Sequence, residues 1–325
     1  MNWKEWKFQA LTDIWTGDAE RNRDRLIPTG IMGSLRWWFE VLVRGLGGEA
    51  CDPTAKDVRC PQDTKKKPTD PGHHCVVCEL FGCTGWARKF RLMILNEQGQ
   101  VIQNQIEAGQ KFTLRFIPLR YISDEEWCLL DATLRLIADY GAIGGKTVFK
   151  PSDEPGRGQV LYHRDFGLIR LEERPNDLPT CSREQAERYV QQGNWHKGIP
   201  PKYKDDGKQY DYSWASLQNF WCVEGRYLAR QDSDTSSFNF IIGRPEPKNQ
   251  ASQGDSWLAG RQQESKKVFS FKEPARTFGF VKPDLVDFEK MKERLKGVWQ
   301  GFDPNQGFLT GEQILDKLFQ QEETA

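Results

Sequence analysis

Residues 30–45 read GIMGSLRWWFEVLVRG, and the spacing of their large side chains decides how the first half of the chain folds. Ile31, Leu35, Trp38, Phe39, Leu42 and the following Leu46 recur at helical spacing and line one face. Arg36, Trp37, Glu40 and Arg44 fall off that face. Pro28 and Thr29 stand at the helix start, where a missing N–H costs nothing. The spacing thus predicts a helix with an apolar stripe and, off the stripe, a tryptophan set among arginines.

Upstream, WKEWKFQAL alternates around Trp6, Phe8 and Ala10 and reads as a strand. Downstream, a cysteine-bearing loop occupies about 47–84. RKFRLMIL and KFTLRFIPLR then read as two strands joined around NEQGQ. SDEEWCLLDATLRLIADYG is a helix: Ser123 and Glu126 form a capping box, and Gly141 stands at its stop. GQVLYHRDFGLIRL is a fourth strand. The order strand, helix, strand, strand, helix, strand is the split βαβ pattern of ferredoxin-like, or RRM-like, folds. The expected class is α+β, with a ferredoxin-like domain over residues 1–172 and a cysteine-bearing insertion within it.

Residues 173–325 are less regular. SREQAERYVQQ is helical with Ser182 as its cap, KVFSF and RTFGFV suit strands, and PDLVDFEKMKERLKGVW is a helix with Pro283 near its start. TGEQILDKLFQQ is a short last helix. A second, degenerate ferredoxin-like domain fits this pattern, and so does an α-rich cap. No internal repeat is visible in the letters.

Length suits about two domains. No run of eighteen apolar residues occurs, which excludes a spanning helix, and MNWKEWKFQA lacks the apolar core of a signal peptide, so a cytoplasmic protein is expected. Lysine plus arginine equals aspartate plus glutamate at 46 each, so any basic surface must be local. Five of the eight cysteines fall between Cys51 and Cys83, and clustering in that setting points to a metal rather than to cystine. Cys75 and Cys78 have the C-x-x-C spacing that grips one zinc ion, and Cys51 and Cys60 complete a tetrahedron. His73 and His74 are alternative ligands, while Cys83 suits packing. The competing interpretation is a set of ordinary reduced cysteines.

For a polynucleotide the opening helix offers free N–H groups and a positive dipole end. Gly30 and Gly33 clear bulk there, Arg36 lies about two turns along, Arg44 about four, and Trp37 presents a flat face for a base. Equally open is that Trp37 packs under the cysteine loop while Arg36 and Arg44 pair with Glu40. In DYGAIGGKTVFKP, GGKT suggests a P-loop, but Tyr140 stands where the first Walker glycine belongs, and the loop follows a helix. What remains is a candidate anion nest: Gly141, Gly144 and Gly145 with donors Lys146, Thr147 and Lys150, or else a helix stop and a flexible loop. Catalytic constellations are scarce among four histidines; His163 in LYHRDF is the one candidate base.

IPTGIMGSLRWWFEVLVRGL, CVVCELFGCTGWARKFRL and YGAIGGKTVFKPS resemble the RAMP superfamily of CRISPR proteins, and within it the first subunit of the type III-B (Cmr) effector complex. The likeness spans about residues 1–172. It implies ferredoxin-like folding, binding of guide RNA (crRNA, toward its 3′ region) and target RNA, assembly with other RAMP subunits, and no nuclease role. Gly30, Gly33, Arg36 and Trp37 match the first motif; Gly141, Gly144, Gly145, Lys146 and Thr147 match the glycine-rich loop. Some RAMP relatives bind zinc through cysteines in this loop. One departure is that VFKPSDEPGRG intervenes where the superfamily loop ends in a close glycine–aromatic–glycine. A guide-processing RAMP endoribonuclease using His163, and a purely structural cap, are the alternatives.

Overall fold

The computed structural model describes residues 3–17, 25–52, 58–145, 151–154, 156, 163–200, 202–205, 208–229, 237–242, 257–260 and 265–320. It holds two four-stranded antiparallel sheets and a two-stranded hairpin.

The first sheet is built from β1 (Lys4–Ala10), β2 (Phe90–Leu95), β3 (Lys111–Pro118) and β4 (Ile169–Glu173), in the order β2-β3-β1-β4. That order is the ferredoxin-like one. Alternation sends Trp6, Phe8 and Ala10 of β1, and Phe112, Leu114 and Phe116 of β3, to the covered face. Lys4 pairs with Phe116 and Phe8 with Phe112, while β4 joins the other edge of β1 across an irregularity at Lys7/Phe8. β4 begins later than the alternation suggested, because Leu168 instead takes the amides of Leu11 and Thr12. The earlier part of that expected strand, residues 158–162, lies outside the described residues.

Two long helices cover this face, α1 (Pro28–Gly45) and α3 (Asp124–Tyr140), and they pack on each other. The short α2 (Val76–Phe81) sits in the cysteine segment. The Ser123–Glu126 capping box is formed in both directions. α4 (Arg183–Val190) follows, capped by Ser182, and then a hairpin of β5 (Lys202–Asp205) and β6 (Lys208–Asp211).

The second half is not an α-rich cap. β7 (Phe220–Glu224), α5 (Ser237–Ile241), β8 (Val268–Lys272), β9 (Ala275–Phe280), α6 (Phe288–Val298), α7 (Pro304–Gly307) and β10 (Leu309–Thr310) give a sheet ordered β10-β7-β9-β8. Numbered from its own first strand, that is the same order as the first sheet. α6 starts later than Pro283, since Lys282 and Val286 pair as a bridge and the Asp287 carboxylate caps the helix by accepting from the Lys290 amide. The final helix, α8 (Gly311–Phe319), closes with a Thr310–Gln313 capping box.

The larger apolar core runs through both halves, while a second cluster, with Trp221, Phe238, Met291 and Leu295, lies within the second half alone. Members of the larger core include Trp6, Leu35 and Phe116 from the first half, and Phe220, Phe278 and Leu315 from the second. α1 lies between the two sheets, which gives its off-stripe tryptophan something to pack on other than water.

Candidate metal centre and nucleic-acid cleft

The Cys51, Cys60, Cys75 and Cys78 sulfurs lie within 4.8 Å of one another, all buried and all free of disulfides. Cys75 is the residue just before α2 and Cys78 its third residue, so one turn brings both thiols to the same side. Cys51 follows the end of α1, and its Sγ is 3.4 Å from that of Cys78. The Cys75 amide donates to Cys60 Sγ at 3.3 Å. A zinc ion with bonds of about 2.3 Å needs sulfurs roughly 3.8 Å apart, a spacing within the span of this cluster. The four residues can therefore hold a metal ion.

Charge points the same way. Hydrogen bonds from Cys51, Cys60 and Cys78 hold the Cys75 thiol well below the usual range, and the other three are pushed up. A divalent cation bound by the four would favour their thiolate forms. Arg36 is the counter-charge. Its guanidinium donates to Cys78 Sγ at 3.2 Å, to Cys51 Sγ at 3.7 Å, to the Gly82 carbonyl at 3.0 Å and to Glu40 at 3.0 Å. Burial opposes the Arg36 charge, but Cys78, Glu40 and Cys51 outweigh it and its pKa is raised.

This overturns the phosphate role expected of Arg36. Arg44 is likewise turned inward, donating to the carbonyls of Ala215 and Ala50 and lying 3.8 Å from Glu40. Both arginines pair with the buried Glu40, whose carboxyl burial pushes up against them. Gly144 and Gly145 do not form an open anion nest either. The Gly144 amide donates to Ser34 Oγ at 3.1 Å and the Gly145 amide to the Trp15 carbonyl at 2.7 Å. Gly144 has φ +122°, and a Cβ there would stand 2.6 Å from the Trp15 carbonyl oxygen, so glycine is required by the fold. Lys146, Thr147 and Lys150 lie outside the described residues.

Trp37 packs on the second sheet, not under the cysteine loop. Its ring meets Trp38 and Phe280 edge-on, and it remains half-buried. Trp38 is buried, donates to the Ala142 carbonyl at 2.8 Å and packs edge-on against Phe220 and Phe278. Gly141 lets this ring in: a Cβ there would lie 2.6 Å from Trp38.

Beside Trp37 opens a cavity of about 300 Å³, lined by Ser34, Trp38, Gly144, Trp214, Lys266 and Phe269 among others. It has the size and the mainly apolar walls of a small-ligand site with few polar groups. Lys267 stands over the Trp214 ring at 4.4 Å. Ser34 and Gly144 lie close to the start of α1, which has no side-chain cap, no acidic residue in its first turn, and exposed Thr29 and Gly33. Sequence reasoning found Trp37 but missed Trp214, Lys266 and Phe269, because these come from the second half and carry no motif. His163 lines a different hollow with Asp13, Arg164, Asp165 and Lys272.

Residues 7–149 match the family model of the RAMP superfamily. Among solved structures the chain is similar to apo Cmr1 from Pyrococcus furiosus, at 10% identity and a TM-score of 0.43, covering 98% of this chain and 96% of that one. No curated protein matches it.

Proposed function

We propose, with the RAMP-superfamily match over residues 7–149 as premise, that the chain is a non-catalytic RNA-binding subunit of a type III CRISPR effector complex. Guide and target RNA and other RAMP subunits are its partners. The observation that carries this is the aromatic cleft between α1 and the second sheet, opening beside an uncapped helix start. Trp37, Trp214 and Phe269 supply flat faces for bases, and the positive dipole end of α1, with the Thr29 amide, suits a phosphate, the Gly30 and Ile31 amides being bonded to the Ile27 carbonyl. The open face of the first sheet carries Lys7 paired with Glu173, and Arg115 paired with Glu5 and set over the exposed Trp3 ring at 5.1 Å. Gly30 and Gly33 keep their proposed place at the phosphate end. Arg36 and Arg44 are removed from the contact set, and Ser34 and Lys266 join it.

A structural zinc ion on Cys51, Cys60, Cys75 and Cys78 completes this proposal. It would pin the cysteine segment to α1, with Arg36 offsetting the thiolate charge.

Ultraviolet crosslinking of the assembled complex, followed by peptide mapping, tests the RNA contact. Crosslinks are expected at Trp37, Trp214 or Phe269, and Phe269→Ala should reduce them severalfold while leaving assembly intact. Crosslinks that avoid all three residues would refute the cleft, and absence of any crosslink to this subunit would favour the structural cap. Metal-independent RNA cleavage that disappears in His163→Ala would establish the nuclease alternative instead.

A further inference from the structure

A second group of potential ligands adjoins the four cysteines. Ligating atoms of His73, His74 and Cys83 lie within 4.8 Å of one another, and both histidines are buried. We propose that His73, His74 and Cys83 form a second, separate site for a zinc-like divalent transition-metal ion.

The arrangement around His74 is that of a metal-ligating imidazole. Its Nε2 lies 2.6 Å from Glu79 Oε2, and Glu79 is itself held by Lys89. A carboxylate on one ring nitrogen fixes the tautomer and raises the basicity of the other, which is how ligating histidines are commonly supported. The ring cannot swing away: it stacks on Trp86 at 4.8 Å and 26°, and Trp195 lies on it at 6.5 Å. With Nε2–H donated to Glu79, Nδ1 is bare, and it faces His73 Nδ1 at 2.9 Å. Two nitrogens that close need a proton or a cation between them. Two nitrogens on one tetrahedral ion with bonds of about 2.0–2.1 Å stand roughly 3.3 Å apart, so a metal fits where the shared proton would sit after a small opening.

Cys83 brings the third ligand from a tight turn, where its backbone pairs with that of Trp86. No ligand is shared with the Cys51, Cys60, Cys75 and Cys78 set, although Cys83 reaches Cys78. Two imidazoles and one thiolate suit zinc and its borderline neighbours rather than calcium or magnesium. Three protein ligands leave a fourth position for water or an anionic group. The site stands whether or not the chain binds RNA.

Native mass spectrometry of the full chain purified with zinc, backed by elemental analysis, reads the stoichiometry directly. Two zinc ions per chain are expected. Cys83→Ser, at a half-exposed position that tolerates a hydroxyl, should retain one, and His74→Ala should do the same. Glu79→Gln should weaken the second ion about 10–100-fold and leave the first unchanged. After cobalt replacement, the single ion kept by Cys83→Ser should still show a tetrathiolate spectrum. One ion in the wild type, unaltered by these substitutions, would overturn the second site while leaving the four-cysteine site standing. Two ions unaffected by them would place the second elsewhere and overturn it equally. No ion at all would reject both sites.

Discussion

Arg36 holds a permanent charge in an almost dry setting, its side chain 13% exposed, against a Glu40 side chain at 8%. Removing one member of a buried pair strands the other, which typically costs about 3–5 kcal/mol. Arg36→Ala is therefore expected to destabilise by that order in urea unfolding and to reduce the metal content of the four-cysteine site. If it left both unchanged yet abolished RNA crosslinks, Arg36 would be a contact residue and the packing account would fail. Asp165 makes the opposite case. Its Oδ2 accepts from the amides of Lys272 and Glu273, while its buried Oδ1 has no partner among the described residues. Burial pushes its carboxyl up to about 6 against those two donors. The folded value lies above the unfolded one, about 3.9, so the folded state binds the proton more tightly. Its stabilising contribution is present below about pH 4 and is lost as pH rises through about 6, by at most about 3 kcal/mol. Asn keeps the acceptor and cannot ionise. The stability difference between Asp165→Asn and wild type should therefore grow in favour of the variant between pH 4 and 7, and a flat difference would contradict this.

At the level of elements, α1 was legible on one side only. Its stripe of Ile31, Leu35, Phe39 and Leu42 has the helical period, and all four are buried. Trp37 looks out of place in the letters because what it packs on in the second half, Phe280, lies about 240 residues away and is joined only by the fold. The charged pattern was equally ambiguous: an arginine four residues from a glutamate is a solvated pair on most helices, and here the cysteine segment covers it. Helix caps were readable at Ser123 and Ser182 because capping is local chemistry. Leu217 shows how tightly the last helix closes on this arrangement. A Cβ on Gly311, the first residue of α8, would stand 1.6 Å from the Leu217 carbonyl oxygen, and one on Gly45 at the end of α1 would stand 2.6 Å from Leu217 Cβ. The first contact is with backbone, so α8 must move as a unit. Gly311→Ala should cost at least the roughly 1–3 kcal/mol of an overpacked core, read as a lower urea midpoint. A midpoint matching that of wild type would mean that α8 does not dock there.

For the whole molecule, the two sheets share a strand order that the letters hide. β10 contributes only two residues, and long segments separate β7 from β8, so the second copy of the pattern offers no even spacing to detect. Their shared core decides how the chain unfolds. Chains with two separate cores commonly melt in two steps, each domain with its own surface to lose. Here Trp38 of the first half sits among Phe220 and Phe278 of the second, and Arg276 donates to the Ala138 and Gly141 carbonyls across the same seam. Opening that seam would expose Trp38, Phe220 and Phe278 together, and would leave the Ala138 and Gly141 carbonyls without their arginine. Neither half can therefore be lost while the other keeps its side of the shared core packed, although the second half also holds a smaller cluster of its own. Urea unfolding followed by far-ultraviolet circular dichroism, for the backbone, and by tryptophan fluorescence, for the seam, should give coincident single transitions. A fluorescence change that precedes the loss of secondary structure would show the halves parting first, and the continuous core would then not be what holds them.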